Sequence, residues 1–533
     1  MFDTILKGGD VHDGCGSEPK RTDVGIRDGK ICAIENLTHA EGSEVIDVSG
    51  FAVSPGFIDL HTHSDFTLSI DGRANSQVHQ GVTTEVIGQC GFSCAPARSK
   101  NDILQMAFGH CDHQPDLGWR SFDEYLTHLE AQPLGVNVLA FVGHGAIHQS
   151  VLGNAKRPGD PSEIAAMATA LEKALEEGAH GFSSGLEYWP GSLSQPEHMV
   201  PLCEVATRHG VLYATHVRNR DRFYDLGTGE AIATAREASA RLQISHIQPK
   251  YGAPEFAMEH CLEMIDAAKA RGLDVGFDVI PHDWNHTRMM SILPQWAQEG
   301  GVSEILTRLA DPDTRAQIKR NPTPMWLMVR NARWSDIVLL SSAANPDLVG
   351  LNFAEIGQMR GTDPYDAVLD ILLEEAENMP ALLWASQAFR EADIEMCLRH
   401  PDCAVMSDTL ALSTDGPFAS QVGSLSGYSW AAGFLQRYVR ERNVLSLPDA
   451  IRRISGLPAQ RLGLSDRGTL TVGAKADICV FDPGRIFRQV DVTNPRQYVD
   501  GFQHVLVNGC FAIRAQRRLE NNAGQVIRGV QKR

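Results

Sequence analysis

Several things are scarce in this 533-residue chain, and each scarcity excludes a class of protein. No unbroken apolar run reaches the roughly eighteen residues a membrane-spanning helix needs; the longest apolar stretches are of strand size. The start, Met1-Phe-Asp-Thr-Ile-Leu-Lys7, lacks a basic region followed by an apolar core, so no cleavable signal is expected. Positive charge is in deficit: 48 Lys+Arg face 66 Asp+Glu, a net charge of −18. That balance argues against nucleic acid or an anionic membrane as partner. The 11 cysteines are odd in number and form no tight framework, which reads as free thiols in a reducing, cytoplasmic compartment.

What remains is ordinary globular material, 43% hydrophobic and 21% charged. At about 150 residues per domain the length suggests roughly three or four domains, although α/β barrels run longer as one unit. The composition hints at chemistry in one place only, 20 histidines beside 11 cysteines.

Along the chain, both ends read as short strands with turns. Asp28-Gly29 is the strongest hairpin signal near the start. Gly468-Thr-Leu, Ala476–Phe481 and His504-Val-Leu-Val-Asn-Gly509 repeat the texture near the end. Residues 1–55 and 465–533 are therefore expected to build one small β-sandwich or barrel domain. The middle, 56–464, alternates. Ser162–Glu177 places Ile164, Met167, Ala168, Leu171, Ala174 and Leu175 at helical spacing, and an apolar strand follows. Helices near Pro201–His209, Glu230–Arg241, Glu255–Arg271, Pro364–Ala376 and Arg390–His400 are likewise each followed by a strand. Repeated βα units predict an α/β protein with a parallel sheet closed into a (β/α)8 barrel. The stretch 287–350 breaks the rhythm and reads as an insertion.

The chemistry gathers at strand ends. Val53-Ser-Pro-Gly-Phe-Ile-Asp-Leu-His61-Thr-His63 closes an apolar run with His-x-His, and residues i and i+2 of a strand point the same way. Two imidazoles on one side can share a metal. His216 ends Leu212-Tyr-Ala-Thr-His, His246 ends Leu242-Gln-Ile-Ser-His, and Asp408 ends Cys403-Ala-Val-Met-Ser-Asp. Cys90 follows Thr84-Glu-Val-Ile-Gly-Gln. Taken singly, Cys90 reads equally as a buried small hydrophobe and Asp408 as a helix cap. Six metal-competent residues at the ends of five strands, on the face where barrels carry their sites, outweigh those readings.

This constellation resembles the amidohydrolase superfamily of metal-dependent hydrolases, and within it the N-acyl-D-amino-acid deacylases, or D-aminoacylases. The resemblance spans nearly the whole chain. It is carried by Gly56-Phe-Ile-Asp-Leu-His-Thr-His-Ser-Asp65, Gly81-Val-Thr-Thr, Gly88-Gln-Cys-Gly91, Thr215-His-Val-Arg-Asn219, Ser245-His246, Leu293-Pro-Gln-Trp-Ala-Gln-Glu-Gly-Gly301, Ser407-Asp408 and Gly473-Ala-Lys-Ala-Asp-Ile-Cys-Val-Phe-Asp482. His-x-His marks the superfamily, and Gly-Gln-Cys-Gly points to the deacylase branch.

The resemblance implies one tight zinc held by Cys90, His216 and His246. A second, weaker position would use His61, His63 and Asp408, with Cys90 bridging. Many amidohydrolases bridge two metals with a carboxylated lysine ending the fourth strand. Here that strand reads Gly181-Phe-Ser-Ser-Gly-Leu-Glu-Tyr and has no lysine, and a soft thiolate bridge favours zinc. Asp408 would be the catalytic proton carrier. Tyr188, in Leu186-Glu-Tyr-Trp, matches a family tyrosine beside the substrate carbonyl, and reads equally as rim packing. His144 reads as support for the site or as core. His110-Cys-Asp-His113 looks metal-like by composition but lies in a loop-like stretch.

Departures from the family fall on substrate recognition. The lysine it carries two residues after the histidine equivalent to His246 is Gln248 here, with Lys250 two further on. No arginine follows Asp408 closely. The usual Tyr-Pro-Tyr stretch becomes Val279-Ile-Pro-His282-Asp-Trp284-Asn-His286-Thr. The substrate wall is thus expected to hold Tyr188, Lys250, His282, Trp284, His286 and Arg218, with Arg288 an alternative carboxylate partner.

The activity implied is zinc-dependent removal of an N-acyl group from an N-acyl (D-) amino acid or related amide. The substrate is a small molecule, and self-association is compatible with this reading. A cyclic-amide hydrolase of the hydantoinase or dihydroorotase type is the nearest alternative, disfavoured by the missing lysine. A non-catalytic scaffold on the same fold is disfavoured by the full ligand set.

Overall fold

The computed structural model describes residues 1–529 apart from 109–110, 112–114, 300, 324, 422, 489–491 and 493. Three strands open the chain as an antiparallel meander, β1 (Phe2–Val11), β2 (Lys20–Arg27) and β3 (Lys30–Glu35). Asp28 and Gly29 join β2 to β3 with φ of 52° and 70°. That is the two-residue turn whose twist matches paired strands, and it explains the Asp-Gly there. Strands β4 (Gly42–Asp47) and β5 (Ala52–Pro55) run parallel to β1.

Seven successive parallel strands follow: β6 (Phe57–Asp59), β7 (Val82–Ile87), β8 (Asn137–Gly143), β9 (Gly181–Gly185), β10 (Leu212–His216), β11 (Arg241–Ile244) and β12 (Val275–Val279). Their burial is nearly continuous, as expected of strands covered on both faces. The connecting helices obey local rules. Pro161–Glu176 starts at Asp160, whose side chain caps the Ser162 and Glu163 amides, while Glu163 reaches back to the Asp160 amide. Ile164, Met167, Leu171, Ala174 and Leu175 form its buried face.

Strands β13 (Trp284–Arg288), β14 (Ile337–Ser341) and β15 (Leu383–Gln387) form a separate antiparallel sheet in the order β13-β15-β14. The apolar run Ala381–Ala385, which the βα rhythm assigns to the barrel, belongs here instead. An apolar run after a helix signals a strand without saying which sheet it joins. The eighth barrel strand is β16 (Cys403–Val405), beside β12.

Beyond β6 and β16 the backbones meet. The His63 N–H donates to the Thr409 carbonyl at 2.7 Å, and the Asp408 N–H donates to that of His61 at 3.1 Å. Thr62 and Thr409 pair in parallel, so the eight strands close into a barrel. Its interior is filled by Ile58, Leu60, Val86, Leu139, Phe141, Leu212, Ala214 and Ala404, contributed from different strands. The closing seam carries three of the candidate ligands.

The chain ends in β17 (Ile478–Phe481), β18 (Phe502–Val507), β19 (Cys510–Arg514) and β20 (Arg517–Arg518). β17 pairs antiparallel with β5, giving a nine-stranded sheet assembled from both ends of the chain. It is fastened to the barrel by Asp477, which accepts from Asn137 Nδ2 at 3.1 Å and pairs with Arg467. Among the described residues no helix is long and apolar enough to cross a membrane.

Candidate active site

Three of the candidate donors sit where the backbone turns left-handed at a strand's carboxyl end: Cys90 (φ 55°), His246 (φ 33°) and Asp408 (φ 53°). Such conformations are unfavourable for residues with a Cβ and persist only where surrounding structure enforces them. Gly88 shares the constraint at φ 79°, and a Cβ there would lie 1.9 Å from the Phe141 carbonyl oxygen. The Gly88-Gln-Cys motif is thus a backbone requirement that delivers the thiol to the barrel mouth.

The donor atoms converge. Cys90 Sγ lies 3.2 Å from His61 Nε2, 3.3 Å from His246 Nε2 and 3.8 Å from His216 Nδ1. His216 Nδ1 and His246 Nε2 are 3.1 Å apart. Asp408 Oδ1 stands 3.3 Å from His61 Nε2 and 3.0 Å from His63 Nε2, and Oδ2 is 3.9 Å from His246 Nε2. One ligand atom each from His61, Cys90, His246 and Asp408 falls within a 4.8 Å set. His216 flanks that set on one side and His63 on the other.

Zinc takes donors at about 2.0–2.3 Å, and the neighbouring donor pairs here, 3.0–3.9 Å apart, are close enough for one ion to engage several of them. Burial alone would raise the Cys90 thiol, yet the neighbouring imidazoles of His61 and His246 hold it well below its ordinary value. Burial likewise opposes ionisation of Asp408, and the same imidazoles outweigh it, holding the carboxyl well below the usual range. For His246 burial wins, and its pKa is pushed down to about 3. A thiolate, a carboxylate and a neutral imidazole facing one point form a donor set that suits a soft divalent cation.

Groups behind the donors fix them. Glu187 Oε2 accepts from His216 Nε2 at 2.8 Å, and Glu187 Oε1 accepts from Lys250 Nζ at 2.5 Å. Burial would raise the Glu187 carboxyl, but Lys250 and His216 bring it down to about 2. Asp278 accepts from the His246 amide at 2.6 Å and from Gln243 Nε2 at 2.8 Å. Sequence reading missed both acids. Glu187 stands beside the Tyr188 that drew attention, and Asp278 is the lone acid inside apolar β12.

A cavity of about 480 Å³ opens over the donors and is lined by His63, Cys90, Tyr188, His216, His246 and Asp408 at its base. Of the six residues expected on the substrate wall, Tyr188 and His286 line it. The Tyr188 hydroxyl donates to the Cys90 carbonyl at 2.8 Å. The other four lie elsewhere. Arg218 is bound to both Glu230 oxygens at 2.8 Å and to the Ser192 and Ser194 carbonyls. Lys250 is spent on Glu187 and the Met325 carbonyl. His282 faces Arg488 Nη1 at 2.6 Å, and Trp284 lines a separate small crevice with Leu340 and Ala385. His144 is buried against Ser194 Oγ at 3.2 Å and does not reach the cavity. Of His110-Cys-Asp-His113, only Cys111 is among the described residues.

The 284–387 region supplies much of the wall: Arg288, Met290, Met325, Trp326 and Leu383. The next contributors, Phe92 and Phe108, come from the loop after β7.

A closed parallel barrel with thiolate, imidazole and carboxylate donors at its strand ends defines a class of metal-dependent hydrolases, and the chain belongs to the amidohydrolase family, whose sequence profile matches residues 44–320 and 405–512. Family and site together make it a metal-dependent amide hydrolase. It is 31% identical to N-acyl-D-glutamate deacylase of Alcaligenes xylosoxydans xylosoxydans, over 99% of this chain and 96% of that relative. The fold is similar to that of N-acyl-D-glutamate deacylase from Bordetella bronchiseptica, solved with zinc and a phosphonate inhibitor that mimics the reaction's tetrahedral intermediate. There the TM-score is 0.81 at 28% identity, covering 99% of both chains. D-aminoacylase, solved in work on its binuclear metal center, gives a TM-score of 0.80 at 27% identity, covering 99% of this chain and all of that one.

Proposed function

We propose that this chain is a zinc-dependent deacylase that hydrolyses the amide of an N-acyl-D-amino acid. The observation that carries the reading is the convergence of Cys90, His61, His246 and Asp408 at the base of a cavity large enough for a small amide. The named relatives support the substrate class. In this reading Cys90, His216 and His246 would hold the tight ion, and His61, His63 and Asp408, with Cys90, a weaker one. When bound, the metal supplies Lewis-acid polarisation of the substrate carbonyl and acidification of the attacking water.

The chain's own residues do the rest. Asp408 is the general base: its Oδ1 is held by His63 Nε2 at 3.0 Å, leaving Oδ2 to take the water's proton and return it to the leaving amine. Tyr188 faces the same cavity, and its hydroxyl can turn from the Cys90 carbonyl to the oxyanion that develops on the amide. Glu187 keeps His216 presenting Nδ1 to the site, because Nε2 is committed to donating to it.

The cyclic-amide alternative has less behind it. Strand β9 ends in Gly185 without a lysine, and Lys250, the lysine behind the site, is committed to Glu187. The test is a metal analysis joined to a hydrolysis screen of N-acyl-D- and N-acyl-L-amino acids beside cyclic amides. The reading requires zinc in the purified protein and faster release from the D-series. A zinc-loaded protein that opens cyclic amides and leaves N-acyl amino acids intact overturns it.

A further inference from the structure

His246 is held differently from its neighbour His216. The His216 ring is turned by Glu187, whereas His246 Nδ1 is buried with no hydrogen-bond partner among the described residues. A histidine that binds a metal ordinarily donates its second ring N–H to a group that orients it. His246 also sits at φ 33°, outside the regions that a residue with a Cβ adopts freely. Its ring must therefore be aimed from the backbone, and that backbone must be held in a conformation it would otherwise leave.

Two buried side chains hold it. The His246 N–H donates to Asp278 Oδ1 at 2.6 Å, and the His246 carbonyl accepts from Arg220 Nη1 at 2.5 Å. Arg220 stands four residues after His216, and its own carbonyl accepts at 2.6 Å from the N–H of Lys250, four residues after His246. One residue thus stitches together the loops that leave β10 and β11. Between those loops His216 Nδ1 and His246 Nε2 lie 3.1 Å apart.

Arg220 is 5% exposed, and its guanidinium carbon stands 5.8 Å from the centre of the Phe389 ring. It lies in the field of Glu187, but the oxygens of Glu187 are taken by His216 and Lys250. Its Nε finds no hydrogen-bond partner among the described residues. A guanidinium withdrawn from water with so few partners is unfavourable in itself, so its bond to the His246 carbonyl is the contact that accounts for its place.

We propose that Arg220 is a positioning residue for the tight metal site: by holding the His246 carbonyl, its guanidinium fixes His246 Nε2 relative to His216 Nδ1. The proposal rests on the reading above, in which Cys90, His216 and His246 take the tight ion. It goes further by assigning the aim of His246 to a side chain from the loop after the neighbouring strand.

The test compares the wild type with Arg220→Met and Arg220→Lys, each with and without His246→Ala. Zinc affinity is read by competition with chelators of graded strength. The cobalt-loaded proteins are compared by visible absorption, which reports the geometry of thiolate and imidazole ligands. Arg220→Met should bind zinc about 10- to 100-fold more weakly, the usual loss when a ligand's orienting group is removed, and its cobalt spectrum should shift. Arg220→Lys can still donate to the carbonyl and should recover part of the affinity. In the His246→Ala background the ligand being aimed is gone, so Arg220→Met should weaken binding by no more than about 2-fold further. A general loosening of the fold would act with or without His246, so an equal loss in both backgrounds overturns the proposal. Wild-type zinc affinity with an unchanged cobalt spectrum in Arg220→Met overturns it too. The deacylase reading fails separately. Zinc affinity that depends on Arg220 through His246, in a protein that leaves N-acyl-D-amino acids intact, keeps the positioning role and removes the reaction. Cleavage of those substrates by an Arg220→Met protein that binds zinc as the wild type does keeps the reaction and removes the positioning role.

Discussion

Glu187 and His216 are joined by a hydrogen bond of 2.8 Å deep behind the donor cluster, and Glu187 is at the same time the counter-ion of Lys250. One carboxylate thus serves two purposes. It sets which imidazole nitrogen His216 turns toward the metal position, and it neutralises an ammonium only 3% exposed. Glu187→Gln should lower zinc affinity about 10- to 100-fold, the usual cost of losing a group that orients a ligand. It should also destabilise the fold by about 3–5 kcal/mol, because Lys250 is left charged and unpaired. Adding Lys250→Met should restore most of the stability and none of the zinc affinity. Chelator competition and urea unfolding on the same proteins separate the two effects.

Cys90 and Asp408 should fail in different ways. Removing the thiol takes away the donor that lies 3.2 Å from His61 and 3.3 Å from His246, so Cys90→Ala should emerge from purification with less than stoichiometric zinc. Asp408→Asn keeps a ligand-sized oxygen but gives up the proton-accepting charge. It should retain the tight zinc and lose about 10²- to 10⁴-fold in kcat, the range general-base removal spans. Metal content and kcat measured together decide this; normal turnover by Asp408→Asn assigns the proton transfer elsewhere.

The barrel and the donors were legible because their signals are local. Asp28-Gly29 and His61-x-His63 each announce a conformation within a few residues. The strand-end positions of His216, His246 and Asp408 follow from short apolar runs. Substrate contacts were not legible in this way. Arg288, Met325 and Phe108 are far apart in sequence and share a cavity only because the β13–β15 sheet sits over the barrel. Along β13 alternation puts Trp284 on the face of His286 and Arg288, yet Trp284, at the strand's start, lines a separate crevice with Leu340 and Ala385. Lys250 and Arg218 carry the right charge for a carboxylate, but acids that no local pattern reveals, Glu187 and Glu230, already hold them.

Gly88 tests whether the Cys90 loop is a backbone requirement. Its φ of 79° suits glycine, and a Cβ would collide with the Phe141 carbonyl, which belongs to a barrel strand and cannot swing aside. Gly88→Ala should therefore lower both the thermal midpoint and the zinc content, since the strand end that carries Cys90 must move. Full zinc occupancy at an unchanged midpoint would show the turn to be adaptable.

Acid sensitivity should come in part from His144, which is 1% exposed with Ser194 Oγ as its partner. Burial, reinforced by the neighbouring His148 and His198, lowers its pKa from 6.5 to about 3. The folded state therefore binds this proton less readily than the unfolded chain. The stabilising difference is complete above pH 6.5 and is lost as pH falls from 6.5 toward 3. Between pH 7 and pH 5 the unfolded chain gains most of a proton that the folded one refuses, which costs about 2 kcal/mol. His144→Gln can still bond Ser194 but does not titrate, so its urea midpoint should shift less between those pH values than the wild type's. An identical shift in the two proteins would place the acid sensitivity on other buried groups, with His148, lowered to about 4, the next to replace.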